Sequence, residues 1–194
     1  LTLFIGLARH LTLEAGQEIV HEILELPKKI GTILARRGEL AQIAGKYTHY
    51  ENFLFIGRKF SLPIAYEGAL KLKEVSYVHA EGYGAGEMKH GPIAMIDESF
   101  PTVAIAPTDS VYEKTVSNIE EIKARKGIVF AIATEGDTQI KNLVDDVFYI
   151  PKTLEILSPI LSVIPLQLFA YYMGTLRGFN VDRPRNLAKS VTVE

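Results

Sequence analysis

The sequence predicts an α/β domain in which a parallel β-sheet is covered by helices on both faces. Short apolar runs alternate with longer segments of helical period along most of the 194 residues. Hydrophobic residues make up 47% of the chain, which is enough to bury a sheet on both of its faces. The number of apolar runs predicts four to five strands, which is typical of an open doubly wound sheet.

The first part of the chain is predicted to be helical. Apolar residues recur near the helical period from residue 15 to residue 44, with Pro27 marking a break and Gly38 marking a helix end. The opening residues, LTLFIGLARHL, lack an initiating Met and the basic start of a signal peptide. We therefore expect the chain to be cut from a longer protein, with residues 1–45 forming a helical lead-in.

Strands and helices alternate through the rest of the chain. Apolar runs bounded by glycine, proline or polar residues predict strands at 52–58, 80–83, 102–107, 128–134 and 146–151. Helical periodicity predicts helices from Pro63 to Val75, from 110 to 126 and from 158 to 178, with Gly178 at the end of the last one. This order of elements argues for crossover connections between parallel strands.

One predicted helix has two interpretations. Residues 158–176 carry no charge over nineteen positions, which is close to the length that spans a bilayer. However, Pro159, Pro165, Gln167 and two tyrosines lie within this stretch. These residues favour a buried helix of a compact domain over a membrane span.

Composition excludes several functional classes. The net charge is −2 and no block of like charges occurs, so nothing suggests a nucleic-acid surface. The chain contains no cysteine, which excludes disulfides, thiolate metal sites and cysteine nucleophiles within it. The absence of cysteine fits a cytoplasmic protein.

A charged group stands inside the mostly apolar stretch YEGALKLKE, residues 66–74. Glu67, Lys71 and Glu74 are spaced so that their side chains share one face of the predicted helix. The order Glu67 before Lys71 favours an ion pair worth about 0.2–0.5 kcal/mol, which fits a solvated face. The same spacing fits two carboxylates and an ammonium that line a pocket. Ligands bind at the carboxyl ends of parallel strands, so we expect this face to open on a cleft at that edge.

Glycines crowd a second charged stretch, AEGYGAGEMKHGP, residues 80–92. Glycine lets the backbone turn tightly and approach a ligand closely, and Glu87 and His90 stand among the glycines. The spacing does not match the GxGxxG fingerprint of a dinucleotide site. His90 fits either a structural histidine or an acid–base group. The other histidines share no metal-ligand spacing with it, and we predict neither a metal site nor a cofactor.

Two motifs together resemble one family of enzymes. The stretch EGALKLKEVSYVHAEGYGAGEMKHGP, residues 67–92, and the terminal RPRNLAKSVTVE are similar to the C-terminal region of the glucosamine-6-phosphate synthases, the isomerising glutamine–fructose-6-phosphate aminotransferases. The resemblance implies a sugar isomerase (SIS) domain, a three-layer αβα sandwich with a five-stranded parallel sheet. It places this domain at 46–180, the end of a preceding SIS domain with connecting helices at 1–45, and an active-site tail at 181–194. Composition alone predicts a loose polar segment for the last of these.

The resemblance also implies roles for the charged residues. Glu74 corresponds to the carboxylate that shuttles a proton between C1 and C2 of the sugar, and Glu67 and Lys71 correspond to its charged neighbours. His90 corresponds to the residue that opens the sugar ring, and in the family this residue reaches into the site of the partner subunit. A homodimer is therefore implied.

The tail carries the remaining implied site residues. Lys189, in NLAKS, corresponds to the lysine that forms a Schiff base with the open-chain ketose, and Ala188 and Ser190 beside it are implied to bind the substrate. An amine can attack the carbonyl when it is partly neutral. The implied substrates are fructose 6-phosphate and glucosamine 6-phosphate.

Two parts of the family's machinery are missing from the sequence. The family holds the sugar phosphate with an S-x-S-G-E-T type of loop in its first SIS domain, whereas only TDS follows the strand TVAIAP here. The glutaminase half of the family uses a cysteine nucleophile. We therefore expect the phosphate cradle, the first SIS domain and the glutaminase domain to lie outside this chain.

Two alternative functions remain open. A related SIS deaminase or deglycase would act on an amino-sugar phosphate with similar groups. A non-catalytic SIS sensor would bind a sugar phosphate without needing Glu74, His90 and Lys189 together. The sequence upstream of Leu1 would separate these alternatives, because a phosphate loop and a glutaminase domain there define the synthase.

Overall fold

The structure is a computed structural model and describes residues 2–187. The helices in this range are α1 Thr2–Leu7, α2 Leu13–Ala35, α3 Arg37–Tyr47, α4 Ser61–Ser76, α5 Tyr112–Lys123 and α6 Ser158–Leu176. The strands are β1 Asn52–Gly57, β2 His79–Gly84, β3 Thr102–Ala106, β4 Val129–Thr134 and β5 Asp146–Ile150. Two 3₁₀ turns, Ala85–His90 and Pro92–Met95, connect β2 to β3.

The five strands form one parallel sheet in the order β2-β1-β3-β4-β5. The strands run in register, so all of them begin at one edge of the sheet and end at the other. Strands β3 and β4, which apolar runs predicted, are buried at every position. The predicted five-stranded parallel sheet is confirmed. Strand order reverses between β1 and β3, and this reversal is the topological switch point of the sheet.

Helices cover both faces of the sheet and complete three layers. On one face, α3, α4 and α6 pack against the strands through a core that includes Tyr47, Leu72 and Phe169. On the other face, α5 and the 3₁₀ turns pack through Ile119 and Met88. Each fully buried side chain of this kind stabilises the fold by about 1.5–3 kcal/mol. The part of α4 around Leu72 and the turn Ala85–His90 therefore pack on opposite faces of the sheet.

Helix α6 is a core helix in this fold. The segment Glu155–Leu176 is long and apolar enough to cross a bilayer by length and composition. However, α6 packs against α3 and α4, and Leu161, Phe169 and Met173 are fully buried there. The apolar composition of the helix is what burial between neighbouring helices requires.

Two helix ends predicted from local signals are wrong. Pro27 lies inside α2 on an exposed position, where the Ile23 carbonyl that loses its partner can bond to water. Gly38 lies in the first turn of α3 and ends no helix. The helical segment is interrupted instead at Arg36, between α2 and α3, and the Arg36 guanidinium donates to the Tyr149 carbonyl at 2.9 Å. A long-range contact therefore outweighs the local glycine signal.

Helix α4, which carries the first charged stretch, lies close against its neighbours. A side chain at Gly57 would meet the Ser61 carbonyl at 2.3 Å, so the turn from β1 into α4 requires glycine. A Cβ on Gly68 would lie 2.8 Å from Leu166 and 2.9 Å from Phe55. Because α4 connects two parallel strands, it runs antiparallel to them. It begins at the carboxyl edge of the sheet and ends at the amino edge.

We expect Gly68→Ala to lower the free energy of unfolding by about 1–3 kcal/mol, because the added methyl group overpacks the contact with β1 and α6. Gly45→Ala is the matched control, since a Cβ on this α3 glycine meets nothing within 4 Å. The control is expected to be neutral or stabilising by up to about 1 kcal/mol, because alanine favours the helix. Urea denaturation measures both changes, and equal stabilisation by the two substitutions would contradict the close packing of α4.

Candidate active site

Glu67, Lys71 and Glu74 share one face of α4, as the spacing predicts, and are called the α4 cluster below. The Nζ atom of Lys71 lies 2.6 Å from Oε2 of Glu74 and 3.7 Å from Oε1 of Glu67. All three side chains are about one-third exposed. The hydrogen bond to Glu74 raises the pKa of Lys71 above its usual value, although burial opposes this shift. Lys71 is therefore a fixed cation between two carboxylates.

The expected location of the α4 cluster at the carboxyl edge is wrong for Glu74. Ser61 begins α4 near that edge, and Glu74 stands in the last turn of the helix. At 1.5 Å per residue the two positions are about 20 Å apart along the helix axis. The start of α4 lies at the carboxyl edge, whereas the cluster extends from Glu67, near the middle of the helix, to Glu74 in its last turn. A site that uses Glu74 therefore lies on the exposed face of α4, near the amino edge of the sheet.

Exposed apolar side chains lie beside the α4 cluster. Tyr66 is 52% exposed and Leu70 is 43% exposed, and the two stand one turn apart on α4. The Tyr66 backbone also lies against β2, because a Cβ on Gly82 would approach the Tyr66 Cα to 2.9 Å. Within the part of the chain that the structure describes, β2 is an edge strand that pairs only with β1. This side of the molecule combines apolar side chains with an open strand edge, as protein interfaces do.

His90 lies on an exposed turn and not in the core. It ends the 3₁₀ turn Ala85–His90, and its side chain is 76% exposed, with Nε2 at 3.8 Å from Oε2 of Glu87. The turn is anchored by buried Met88 and by Lys89, which pairs with Glu121 of α5 at 2.8 Å. A fixed turn thus presents a solvent-accessible imidazole.

The structure does not bring His90 and Glu74 together within one chain. The turn that carries His90 packs on the α5 face of the sheet through Met88. Helix α4, which carries Glu74, packs on the opposite face through Leu72. The sheet therefore stands between the elements that carry the two groups.

Three predicted site residues, Ala188, Lys189 and Ser190, lie outside the described residues. The stretch before them is not a loose segment: the Arg185 backbone N–H donates to the Tyr77 hydroxyl at 2.8 Å. Tyr77 caps the C-terminal end of α4. The contact between Tyr77 and Arg185 was not predicted from the sequence, because its only local signal is the aromatic and basic character of the two residues.

The topological switch point is filled by the protein's own side chains. Lys59 follows β1 and Ser110 follows β3, and both bond to the carboxylate of Glu155. The Ser110 hydroxyl lies 2.9 Å from Glu155 Oε1, and its backbone N–H lies 3.3 Å from Oε2. A carboxylate therefore occupies the position where an open α/β sheet receives an anion. This arrangement was not predicted from the sequence, because it joins residues 96 positions apart.

The Glu155 contact predicts a pH dependence of stability. The hydrogen bond from Lys59 lowers the pKa of Glu155 below 4.5, its ordinary value. A carboxyl group with a lowered pKa in the folded state stabilises the protein above its unfolded pKa, and this stabilisation is lost as the pH falls through the folded pKa. We therefore expect the stability difference between wild type and Glu155→Gln to be largest at neutral pH and to shrink below 4.5. Urea denaturation across this range measures it, and a difference independent of pH would contradict the assignment.

Among residues 2–187 no group of three or more His, Asp or Glu side chains is arranged to hold a metal ion. The chemistry available on α4 is proton transfer by carboxylates and charge stabilisation by a lysine.

A five-stranded parallel sheet covered by helices on both faces is the fold of a three-layer αβα sandwich. Residues 46–177 match the family model of the SIS domain, and the chain belongs to this family.

The chain is similar in sequence to isomerising glutamine–fructose-6-phosphate aminotransferases and similar in fold to a sugar-phosphate isomerase. The chain is 54% identical over its whole length to glutamine–fructose-6-phosphate aminotransferase (isomerising) of Thermus thermophilus, of which it spans 32%. It is also similar to the C-terminal domain of glucosamine-fructose-6-phosphate aminotransferase from Francisella tularensis, with a TM-score of 0.87 and 35% identity over 94% of this chain and 52% of that one. A putative tagatose-6-phosphate ketose/aldose isomerase from Clostridium novyi shares the fold, with a TM-score of 0.78 and 20% identity over 92% and 48% of the two chains. The chain thus spans about one-third of the length of the curated relatives it matches.

Proposed function

We propose that the chain is the part of an isomerising glutamine–fructose-6-phosphate aminotransferase that moves a proton on the sugar. The whole enzyme converts fructose 6-phosphate and ammonia from glutamine into glucosamine 6-phosphate. The α4 cluster is the observation that carries the proposal, because it holds two carboxylates and a protonated lysine on a partly exposed helix face. The family match and the identity to the Thermus thermophilus enzyme support the choice of reaction.

Glu74 is the proposed proton carrier. Isomerisation of an open-chain ketose removes a proton from C1 and delivers one to C2, and a carboxylate that touches both carbons performs both steps. Loss of the C1 proton leaves its electron pair in an enamine or enediol, which the returned proton quenches at C2.

The two lysines have different proposed roles. Lys71 bonds to Glu74, and the raised pKa keeps its ammonium group charged, so it stabilises the developing oxyanion. A charged amine cannot attack a carbonyl, which leaves the Schiff base to Lys189 in the tail. Ala188 and Ser190 are proposed to contact the sugar beside it. Glu67 completes the charged face by pairing with Lys71.

His90 is proposed to open the sugar ring in the site of a partner subunit. Its exposure suits contact with a second chain, and the sheet that separates it from Glu74 leaves no shared site within one chain. The open edge of β2 and the exposed Tyr66 and Leu70 supply a surface for a homodimer. An imidazole there would donate a proton to the ring oxygen as the ring opens.

Mixed dimers of the full-length protein test this arrangement. His90→Ala and Glu74→Gln subunits are each expected to be inactive when alone. If the site is shared, a mixed dimer pairs the intact Glu74 of one subunit with the intact His90 of the other. Random assembly then restores about one-quarter of the wild-type rate. No recovery in mixed dimers of folded subunits would contradict the shared site.

Phosphate binding and ammonia release are proposed for other parts of the protein. The switch point of this domain is filled by Glu155, so a sugar phosphate is held by the first SIS domain, and a glutaminase domain supplies ammonia. Sugar-phosphate metabolism of this kind and the lack of cysteine support a cytoplasmic location.

A further inference from the structure

The 3₁₀ turn Ala85–His90 has three faces, and each face has a different neighbour. Residues three apart on a 3₁₀ turn lie directly above one another, so the turn divides into three pairs. Ala85 and Met88 form the buried pair and are inaccessible to solvent. Glu87 and His90 form the exposed pair, with the carboxylate and the imidazole 3.8 Å apart. The imidazole therefore points away from the core because of its place in the turn.

The third face of the turn lies against charged side chains from two other elements. Arg58 directly follows β1 and lies against Gly86, where a Cβ would meet its Nη2 atom at 3.2 Å and its Nη1 atom at 3.3 Å. Three residues further on, the Lys89 ammonium pairs with Glu121 of α5 at 2.8 Å. Charged groups thus hold both ends of this face.

Asn118 of α5 connects these two contacts. Its side-chain carbonyl accepts hydrogen bonds from Nε of Arg58 at 3.0 Å and from Nη2 at 2.8 Å. Its amide nitrogen lies 3.5 Å from Oε2 of Glu121. Because a guanidinium only donates and an ionised carboxylate only accepts, one orientation of the amide serves both neighbours. Arg58, Asn118, Glu121 and Lys89 are called the brace below.

The brace contributes direction more than stability to the turn. Asn118 is 5% exposed and is held by α5, so the Arg58 guanidinium is attached to a rigid element. The side chain of Lys89 is 63% exposed, and an exposed ion pair of this kind adds little to stability. Met88 already anchors the turn in the core. The brace therefore prevents rotation of the turn about this anchor, which would carry His90 off the exposed face.

We propose that the brace positions the His90 imidazole for its role in the site of a second subunit. The inference rests on the proposed function, and Arg58 and Asn118 are positioning residues whose role requires no contact with the sugar. A displacement of about 1 Å at a reacting group can lower a rate on the order of 10²-fold. Partial loss of the brace should then slow the reaction without changing the proton chemistry of Glu74.

The test compares variants of the full-length protein. Arg58→Gln removes the guanidinium that bonds to Asn118, and Lys89→Gln breaks the exposed ion pair of the brace. Arg58→Lys keeps one cationic donor. Lys114→Gln is the matched control, because it removes an equal charge from an exposed position of α5. The measurements are amide hydrogen exchange of residues 85–90 and the kinetics of conversion of fructose 6-phosphate.

We expect Arg58→Gln and Lys89→Gln to speed exchange at 85–90. Arg58→Gln should also lower kcat about tenfold with little change in KM, because ring opening belongs to the chemical steps. Arg58→Lys is expected to recover part of both properties, and Lys114→Gln to match wild type. Faster exchange confined to the turn would show that the fold as a whole is intact.

Mixed dimers identify the group that the brace serves. An Arg58→Gln subunit keeps Glu74 but holds its own His90 poorly. Mixed with Glu74→Gln subunits, it is expected to give about one-quarter of the wild-type rate, because the partner supplies a well-held imidazole. Mixed with His90→Ala subunits, it should give about fivefold less, since neither subunit supplies one. A general defect of the Arg58→Gln subunit would lower both mixtures equally.

Equal rates in the two mixtures would overturn the proposal, as would wild-type exchange at 85–90 in both Arg58→Gln and Lys89→Gln. If Arg58→Gln folds poorly, Lys89→Gln, an exposed substitution, takes its place in the same mixtures. Failure of His90→Ala and Glu74→Gln subunits to restore activity together would instead contradict the proposed function. The exchange rates alone would then decide whether the brace holds the turn.

Discussion

Glu74→Gln in the full-length protein is expected to abolish conversion of fructose 6-phosphate to glucosamine 6-phosphate while glutamine hydrolysis continues. The amide keeps the shape of the carboxylate and can still accept a hydrogen bond from Lys71, but it cannot take a proton from C1. General acid–base catalysis contributes on the order of 10²–10⁴-fold to a rate, so kcat should fall by at least about 10²-fold. Assays of amino-sugar phosphate and of glutamate formed in the same reaction measure the two activities.

Glu113→Gln is the matched control for this substitution. Glu113 is an exposed glutamate on α5, which lies on the opposite face of the sheet from α4. The control is expected to retain both activities. An unchanged isomerase rate in Glu74→Gln would show that another group carries the proton, and loss of both activities would indicate a defect of folding or assembly.

Lys189→Ala is expected to remove the covalent adduct between the protein and fructose 6-phosphate. Borohydride reduces an imine to a stable amine, so mass spectrometry of the trapped wild type should find the sugar on Lys189. The variant should carry no adduct there, and its rate should fall by a factor on the order of 10², which corresponds to about 2.7 kcal/mol of barrier.

Lys71→Arg provides the comparison for the lysine assignment. Arginine keeps the cation beside Glu74 and cannot form an imine, so the adduct on Lys189 should persist in this variant. Sugar attached to Lys71 in the wild type would contradict the assignment, because the hydrogen bond to Glu74 and the raised pKa of Lys71 hold its amine in the charged form.

Much of the fold follows from local patterns in the sequence. The runs TVAIA and IVFAIAT predicted β3 and β4 because strands buried on both faces contain almost only apolar residues. The long apolar run in α6 predicted a buried helix, and its contacts with α3 and α4 confirm this. The helix break predicted at Pro27 is wrong, because an exposed proline destabilises a helix less than a buried one.

The candidate site was only partly predictable. Spacing along one helix places Glu67, Lys71 and Glu74 together, and this grouping is confirmed by their distances. The contact between Lys59 and Glu155 joins residues 96 positions apart, and that between Tyr77 and Arg185 joins residues 108 apart. Neither contact leaves a periodic signal in the sequence. The edge of the sheet that Glu74 faces depends on the direction and length of α4, because the helix begins at the carboxyl edge and ends at the amino edge.

The most direct test of the proposed role of Glu74 follows the C1 hydrogens of the substrate. The full-length protein is incubated with fructose 6-phosphate deuterated at both C1 positions, and the hexose phosphates are analysed by mass spectrometry and NMR. The wild type should remove one deuterium from C1, and Glu74→Gln should leave both in place while Lys189 still traps the sugar with borohydride. Removal of C1 deuterium by Glu74→Gln at the wild-type rate would contradict the assignment of Glu74 as the proton carrier.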